Sequence, residues 1–355
     1  MNIVIDDTNV SLELLESQKY KNMEVIPVKL NSCSNKDYLT LKRGIRAGFV
    51  EITECEVSTV GTVLARNNSN IPLILIDGDE IVGAKQNRIM NRSLIIPPNS
   101  SMHVSVSCTE QGRWHYGRQR RIFDDIDNIP RENFRDNINV YSEDFEELGG
   151  EEHFDCSDFA ADLNTRIDKS YNLFEDRNCQ SGVWSSISDL ERKTAFRSRT
   201  SALNDNYENH RVIHNEFLKH FKMDFGQSGA IFIINGQIKG FELFCNPSVY
   251  QDYHEKIFRS YIMEAMINDS SCYSPNISFY ELEAFLREIS KAEFRHSRSK
   301  GIGRHMNFAN KYGTGSVLID GRNLVHINYF NTSNPKVSQR RSRNYGTFRD
   351  FVDDI

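Results

Sequence analysis

The chain has 355 residues, with 43 Lys plus Arg against 49 Asp plus Glu, for a net charge of −6. A mildly acidic chain lacks the surplus base with which nucleic-acid binders displace counterions from phosphates, so nucleic acid is not an expected partner. The longest apolar runs, such as Ile71 to Ile76, are strand-sized rather than the roughly 20 residues that span a bilayer, and an aromatic content of 11% argues against disorder.

In chain order, the N-terminus carries acid (Asp6, Asp7) where a signal peptide carries base, and a cytoplasmic location without membrane contact is expected. From about residue 23 to 112 the pattern reads as an antiparallel sheet or sandwich. Strands are expected over Val57–Asn67 and Ser93–Cys108, the second broken by Pro97-Pro98. Three stretches place Asp-Gly or Asn-Gly between apolar runs: Leu73–Val82, Ile231–Ile238 and Val317–Val325. These dipeptides suit the two positive-φ positions of a type I′ turn, and each stretch predicts a hairpin.

Arg118 to Glu152 is polar and reads as a long loop or insertion. Nine acids and no Lys or Arg lie between Tyr141 and Asp162, a solvated face or a docking segment for a protein partner. Phe159 to Met223 turns helical, with Leu163, Ile167 and Val183, Ile187, Leu190 as apolar turns. Asn246-Pro247 opens a helix carrying Tyr250, Tyr253, Ile257 and Tyr261. Ser278 to Glu281 forms a capping box before a helix through Ala292. Lys300 to Gly315 is glycine-rich and basic without a P-loop signature; it reads as a loop, or as a phosphate contact.

The class is therefore α+β: an antiparallel, hairpin-rich sheet or sandwich with packed helices. Four segments are expected: a β-rich part over 1–115, an acidic insertion over 116–158, a helical part with the second hairpin over 159–270, and a C-terminal part over 271–355 ending in a basic tail (Arg340, Arg341, Arg343).

Seven scattered cysteines, with no Cys-x-x-Cys pair, fit reduced thiols rather than disulfides or structural zinc. His210 and His214, one helical turn apart, read as an exposed polar face; they lack a third ligand, and no metal or other cofactor is implied. Cys108 ends an alternating strand and reads as a packed thiol or, with a cation beside it, as a nucleophile.

The most unusual chemistry lies in Ile76–Ile89 and Val104–Trp114, where long polar side chains follow strand-like runs. Were Gln86, Asn87 and Arg88 to meet Glu110 and Arg113, the set would offer a guanidinium fork for phosphate, amides for hydroxyls, a carboxylate for proton transfer and Trp114 for stacking. The same residues could equally form a buried polar network that fixes strands together.

The run Gly78 to Arg88 with Ser107 to Trp114, and a second block, Gly229–Ile238, Glu242–Pro247 and Phe258–Tyr261, resemble the ARPP-1 family, a domain associated with ADP-ribosylglycohydrolases and rhodanese or phosphatase-superfamily proteins. The resemblance covers about residues 23 to 270 and leaves those beyond about 275 unaccounted for. It implies recognition or processing of an NAD-derived, ADP-ribose-containing nucleotide in a bacterial or phage pathway. Glu80 and Glu110 are then the candidate carboxylates, and Lys85, Gln86, Asn87, Arg88, Arg113 and Trp114 the candidate ligand contacts. The alternative is a non-enzymatic scaffold subunit of a defence or stress system, its polar motif structural and its acidic segment 141–162 holding a partner.

Overall fold

The computed structural model describes residues 1–6, 8–32, 34, 36–114, 153–174, 180–269, 277–296 and 301–332, apart from the side chains of 57 and 58. The predicted loop over 118–152, most of the acidic run and the basic tail lie outside these residues. Among those described, strands and helices mix without a regular βαβ period, and the fold is α+β.

The largest sheet draws strands from three distant parts of the chain. The N-terminal strands are β1 (Asn2–Ile5), β2 (Thr8–Leu14), β3 (Gln18–Tyr20) and β4 (Met23–Leu30); β5 (Leu39–Thr40) and the eight strands after it belong to the two smaller sheets. β14 (Gly229–Ile234) and β15 (Gln237–Phe244) come from mid-chain. The last four are β16 (Glu293–His296), β17 (Arg304–Ala309), β18 (Gly313–Asp320) and β19 (Asn323–Asn331). Their order is β1-β2-β4-β14-β15-β19-β18-β17-β16, with β3 also paired to β4, and each of these pairings is antiparallel.

Two of the three predicted hairpins form within it. β14 and β15 turn at Asn235-Gly236, both at positive φ as a type I′ turn requires. β18 and β19 turn at Gly321-Arg322 with only Gly321 at positive φ. The stretch expected as a glycine-rich loop is in large part the β17–β18 pair.

The third predicted hairpin does not form. β8 (Leu73–Leu75) pairs with β11 (Leu94–Ile96) and runs parallel to β5, whereas β9 (Asp79–Gly83) pairs with β10 (Arg88–Met90) and β13 (Phe154–Ala160). Asp77-Gly78 instead carries the chain from a three-stranded sheet into a six-stranded one, in the order β13, β9, β10, β12 (Ser100–Cys108), β7 (Thr62–Asn67) and β6 (Val50–Thr59). Val57–Asn67 is likewise two strands: the end of β6 (Val50–Thr59) turns at Val60-Gly61 into β7 (Thr62–Asn67), which pairs with β12 (Ser100–Cys108). β13 falls in the acidic region read as loop; its Asp155 and Asp158 face outward while Phe154, Ser157 and Phe159 face inward.

The helices cover the sheets. α2 (Leu163–Phe174), α3 (Gln180–Thr194), α4 (Leu203–Asn209) and α5 (Arg211–Leu218) follow the short α1 (Leu41–Arg46). α6 (Pro247–Ile267) is capped by the Asn246 side chain, and α7 (Phe279–Ile289) opens on the predicted capping box but stops short of Ala292. No helix among the described residues is long and apolar enough to cross a membrane.

Alternation in the large sheet sends Ile231, Ile233, Val317, Ile319 and Ile327 to a core shared with α7. Phe232, Ile234, Phe244 and Phe330 point the other way, against α6. Both faces of β14 are thus buried, which explains its unbroken apolar run. The six-stranded sheet packs one face on the three-stranded sheet through Ile52, Val63, Val104 and Ile81, and the other on α3, α4 and α6 through Ile89, Phe159 and Tyr207.

Candidate functional site around a buried Asp-Gly-Asp-Glu turn

Residues 77–80 lie where the sheets meet, and all three acids of the turn are buried. Each reaches a different part of the fold. Gly78 has φ +78°, a conformation glycine adopts freely, and a Cβ added there would sit 3.0 Å from Nε of Arg166. The turn is tight because α2 lays an arginine against it.

Asp77 faces the large sheet. Nδ2 of Asn328 donates to both its oxygens at 2.8 Å, Ser93 donates at 2.7 Å and Ser316 at 3.3 Å. Arg166 lies 3.9 Å away and ion-pairs with Glu242 at 2.6 Å; His326 sits between Ser93 and Glu242. Burial would raise the Asp77 pKa, but Arg166, His326 and Ser93 outweigh it and hold the carboxyl below the usual range. In β17 to β19 the residues facing this layer, His305, Asn307, Ser316, His326 and Asn328, alternate with apolar ones facing α7. The ring nitrogens of His305 and Nδ2 of Asn307 have no hydrogen-bond partner among the described residues and line a cavity of about 10 Å³, room for one water.

Asp79 faces α6, where its carboxylate ion-pairs with the buried Lys256. The Lys256 ammonium also lies 3.3 Å from Sγ of Cys156. Burial works against the charge on Lys256, but Asp79 more than offsets it and raises the pKa. Burial pushes the Cys156 thiol up to about 11 despite that ammonium, so it is not an activated nucleophile.

Glu80 faces the helices. Thr109 (3.0 Å), Ser157 (3.0 Å) and Asn204 (3.2 Å) donate to it, all neutral. Burial drives its pKa up to about 7, and the three donors and more distant Lys256 only partly oppose this.

The other predicted residues do not form one pocket with Glu80. Ile89 is the cross-strand partner of Glu80 and Arg88 that of Ile81, so Arg88 points to the opposite face of the sheet. There it is fully buried, forked on Glu54 at 2.8 and 3.0 Å, and donates to the backbone carbonyl of Thr59 at 2.6 Å.

Glu110 and Arg113 do meet, beyond the end of β12, in a two-pronged pair at 2.9 and 2.7 Å. Arg113 also donates to the Ala84 carbonyl and to Oδ1 of Asn87, while Glu110 accepts from the Asn87 amide and Thr200. Gln86 donates to the Glu110 carbonyl. Trp114, 46% exposed, has the Lys85 ammonium 5.6 Å and the Arg88 guanidinium 5.8 Å from its ring centre. The structure thus gathers Asn87, Glu110 and Arg113, with Gln86 beside them, and spends most of their bonding capacity on protein groups.

Elsewhere, Cys108 is buried and its thiol pKa is raised by burial, more than its hydrogen bonds and Arg88 offset. His214, expected on an exposed face, is buried against Tyr207; burial, with Arg259 adding to it, lowers its pKa to about 3. No three His, Cys, Asp or Glu among the described residues gather to hold a metal. Sequence reasoning missed Arg166, Glu242, His326 and Lys256. For His326 the signal was present as polar residues alternating with apolar ones in β17 to β19, and for Lys256 as a lysine beside the apolar positions of α6; Arg166 of α2 and Glu242 of β15 carry no such pattern.

No curated protein and no solved structure matches the chain. Residues 11–330 match the family described as ARG and Rhodanese-Phosphatase-superfamily-associated Protein domain, ARPP-1, well past the boundary expected near residue 275. The added segment contains β17 to β19, whose Ser316, His326 and Asn328 surround Asp77. From the turn outward to the strands that enclose it, the chain belongs to the ARPP-1 family.

Proposed function

We propose that this protein recognises or processes an NAD-derived, ADP-ribose-containing nucleotide. The family's association with ADP-ribosylglycohydrolases supports the ligand class. The observation that carries the reading is Glu80: a buried carboxyl that accepts from three neutral donors, with a pKa of about 7. A carboxyl so tuned exchanges its proton near neutral pH, which suits general acid or base work in hydrolysis or transfer at ADP-ribose. In this reading Glu80 handles the proton. Glu110, paired with Arg113 and accepting from the Asn87 amide, orders the strand end beside Thr109, which donates to Glu80. The test is incubation of purified protein with NAD, ADP-ribose, ADP and AMP, following the thermal midpoint and the products. Stabilisation by an ADP-ribose-containing ligand supports the reading, and turnover lost in Glu80→Gln supports processing; no response to any nucleotide sinks both.

A second reading, a scaffold subunit with a structural motif, is favoured by the buried Arg88–Glu54 and Glu110–Arg113 pairs. Its partner contact is the acidic segment 141–162. Deletion of 143–152 should then release a co-purifying protein without lowering the thermal midpoint, and retention of that protein removes the segment from the reading.

A further inference from the structure

A second cavity lies apart from the strand-end motif and is far larger, about 530 Å³. That is within the range of small-molecule sites, about 300–1,000 Å³. It is lined by α1, by Leu218 at the end of α5 and residues 221–223 after it, by α6, and by Asp158 of β13. Lys256 lies on its wall, and behind that ammonium stand Asp79, in contact, and Glu80, whose pKa it lowers. The cleft therefore meets the family turn through one side chain.

Its charges do not cancel. Asp158 is met by Lys42 at 4.0 Å and Arg211 at 3.5 Å, Asp252 by Arg43 at 2.6 Å, and the exposed Glu255 by Arg259 at 3.9 Å. His254 is neutral near pH 7, since burial lowers its pKa to about 4. Arg46 and Lys222 remain: both are exposed, both line the cleft, and neither has an acidic partner among the described residues. The backbone of Lys222 is fixed by Gln18, which donates to its carbonyl at 2.8 Å and accepts from its amide at 2.8 Å. Leu218, Phe221 and Met223 add apolar surface beside these cations. Unpaired cations next to an apolar wall match a ligand with one anionic and one flat apolar part.

We infer that this cleft is a binding site for a nucleoside diphosphate group, with Arg46 and Lys222 on the phosphates and the base against Leu218 and Met223. The identity of the ligand rests on the function proposed above; the site itself rests on the cleft. The diphosphate end would then lie near Lys256, and the Asp-Gly-Asp-Glu turn would act from behind it.

The experiment titrates ADP-ribose, ADP and inorganic pyrophosphate into the whole protein by calorimetry, in the wild type, in an Arg46→Ala, Lys222→Ala double variant and in a Lys85→Ala, Trp114→Ala double variant. Both pairs are surface changes, and unaltered thermal midpoints confirm folding. The expected result is nucleotide binding weakened about tenfold or more by the cleft pair, one tenfold step being about 1.4 kcal/mol, and unchanged by the strand-end pair. Nucleotide binding unaffected by the cleft pair overturns the site and leaves the ligand class standing. Binding of pyrophosphate as tightly as nucleotide, lost in the cleft pair, keeps an anion site and overturns the nucleotide. No binding of any of the three overturns both.

Discussion

Glu80 and Arg88 lie on adjacent strands yet project from opposite faces of one sheet, Glu80 toward the helices and Arg88 toward the core shared with the three-stranded sheet. Arg88 consequently ties β10 to Glu54 of β6 and to the β6–β7 turn. Removing one partner of a buried pair strands the other charge, so Arg88→Ala should cost about 3–5 kcal/mol in urea unfolding. Arg88→Met with Glu54→Gln should recover much of that loss. A loss below about 1 kcal/mol for Arg88→Ala would show that the pair is idle.

Glu80 gives a pH dependence of definite sign. Its pKa in the folded chain is about 7 against an ordinary 4.5, so the folded state holds the proton more tightly than the unfolded one. Its contribution to stability is full below pH 4.5 and is lost as pH rises to about 7, a change of about 3 kcal/mol. Glu80→Gln resembles the protonated form and should flatten this slope, making the variant the more stable protein at pH 8. Thermal midpoints from pH 5 to 8 decide it: a wild-type midpoint unchanged through that window would mean the carboxyl is already ionised.

The elements legible in the sequence were those with local signals. Asn235-Gly236, the Asn246 cap and the Ser278 box each specify a turn or helix end through a few neighbouring atoms. Asp77-Gly78 carries the same dipeptide signal but is overridden, because Asn328, Ser93 and Arg166, distant in sequence, hold Asp77 inside the protein. The motif was readable as unusual, and Glu110 with Arg113 does meet. The division of Glu80 from Arg88 depends on strand register, and the Lys256 cleft on α1 being tied to α6 through Arg43 and Asp252; neither leaves a local trace.

Gly78 tests how closely α2 must approach the turn. Gly78→Ala imposes a side chain at φ +78° and brings its Cβ to 3.0 Å from Arg166. Gly321, at φ +63° with nothing within 4 Å of an added Cβ, supplies the control. Gly321→Ala should cost about 1 kcal/mol, the backbone effect alone, and Gly78→Ala about 2–3 kcal/mol. Equal losses in chemical denaturation would mean that the Arg166 contact yields without cost.

Lys256 and Asp79 should reveal their pairing through opposite pH responses. Lys256→Met leaves a buried carboxylate without its cation, and the folded chain then favours the protonated acid; stability should fall as pH rises from about 5 to 8. Asp79→Asn leaves a buried ammonium, whose folded form favours losing the proton, so stability should fall as pH drops over the same range. Each single change should cost about 3–5 kcal/mol where the stranded group is charged, and the double variant should be less damaged than either. Thermal midpoints at pH 5 and pH 8 separate the cases. Parallel pH profiles for the two single variants would mean that the charges are compensated elsewhere and that Lys256 does not depend on Asp79.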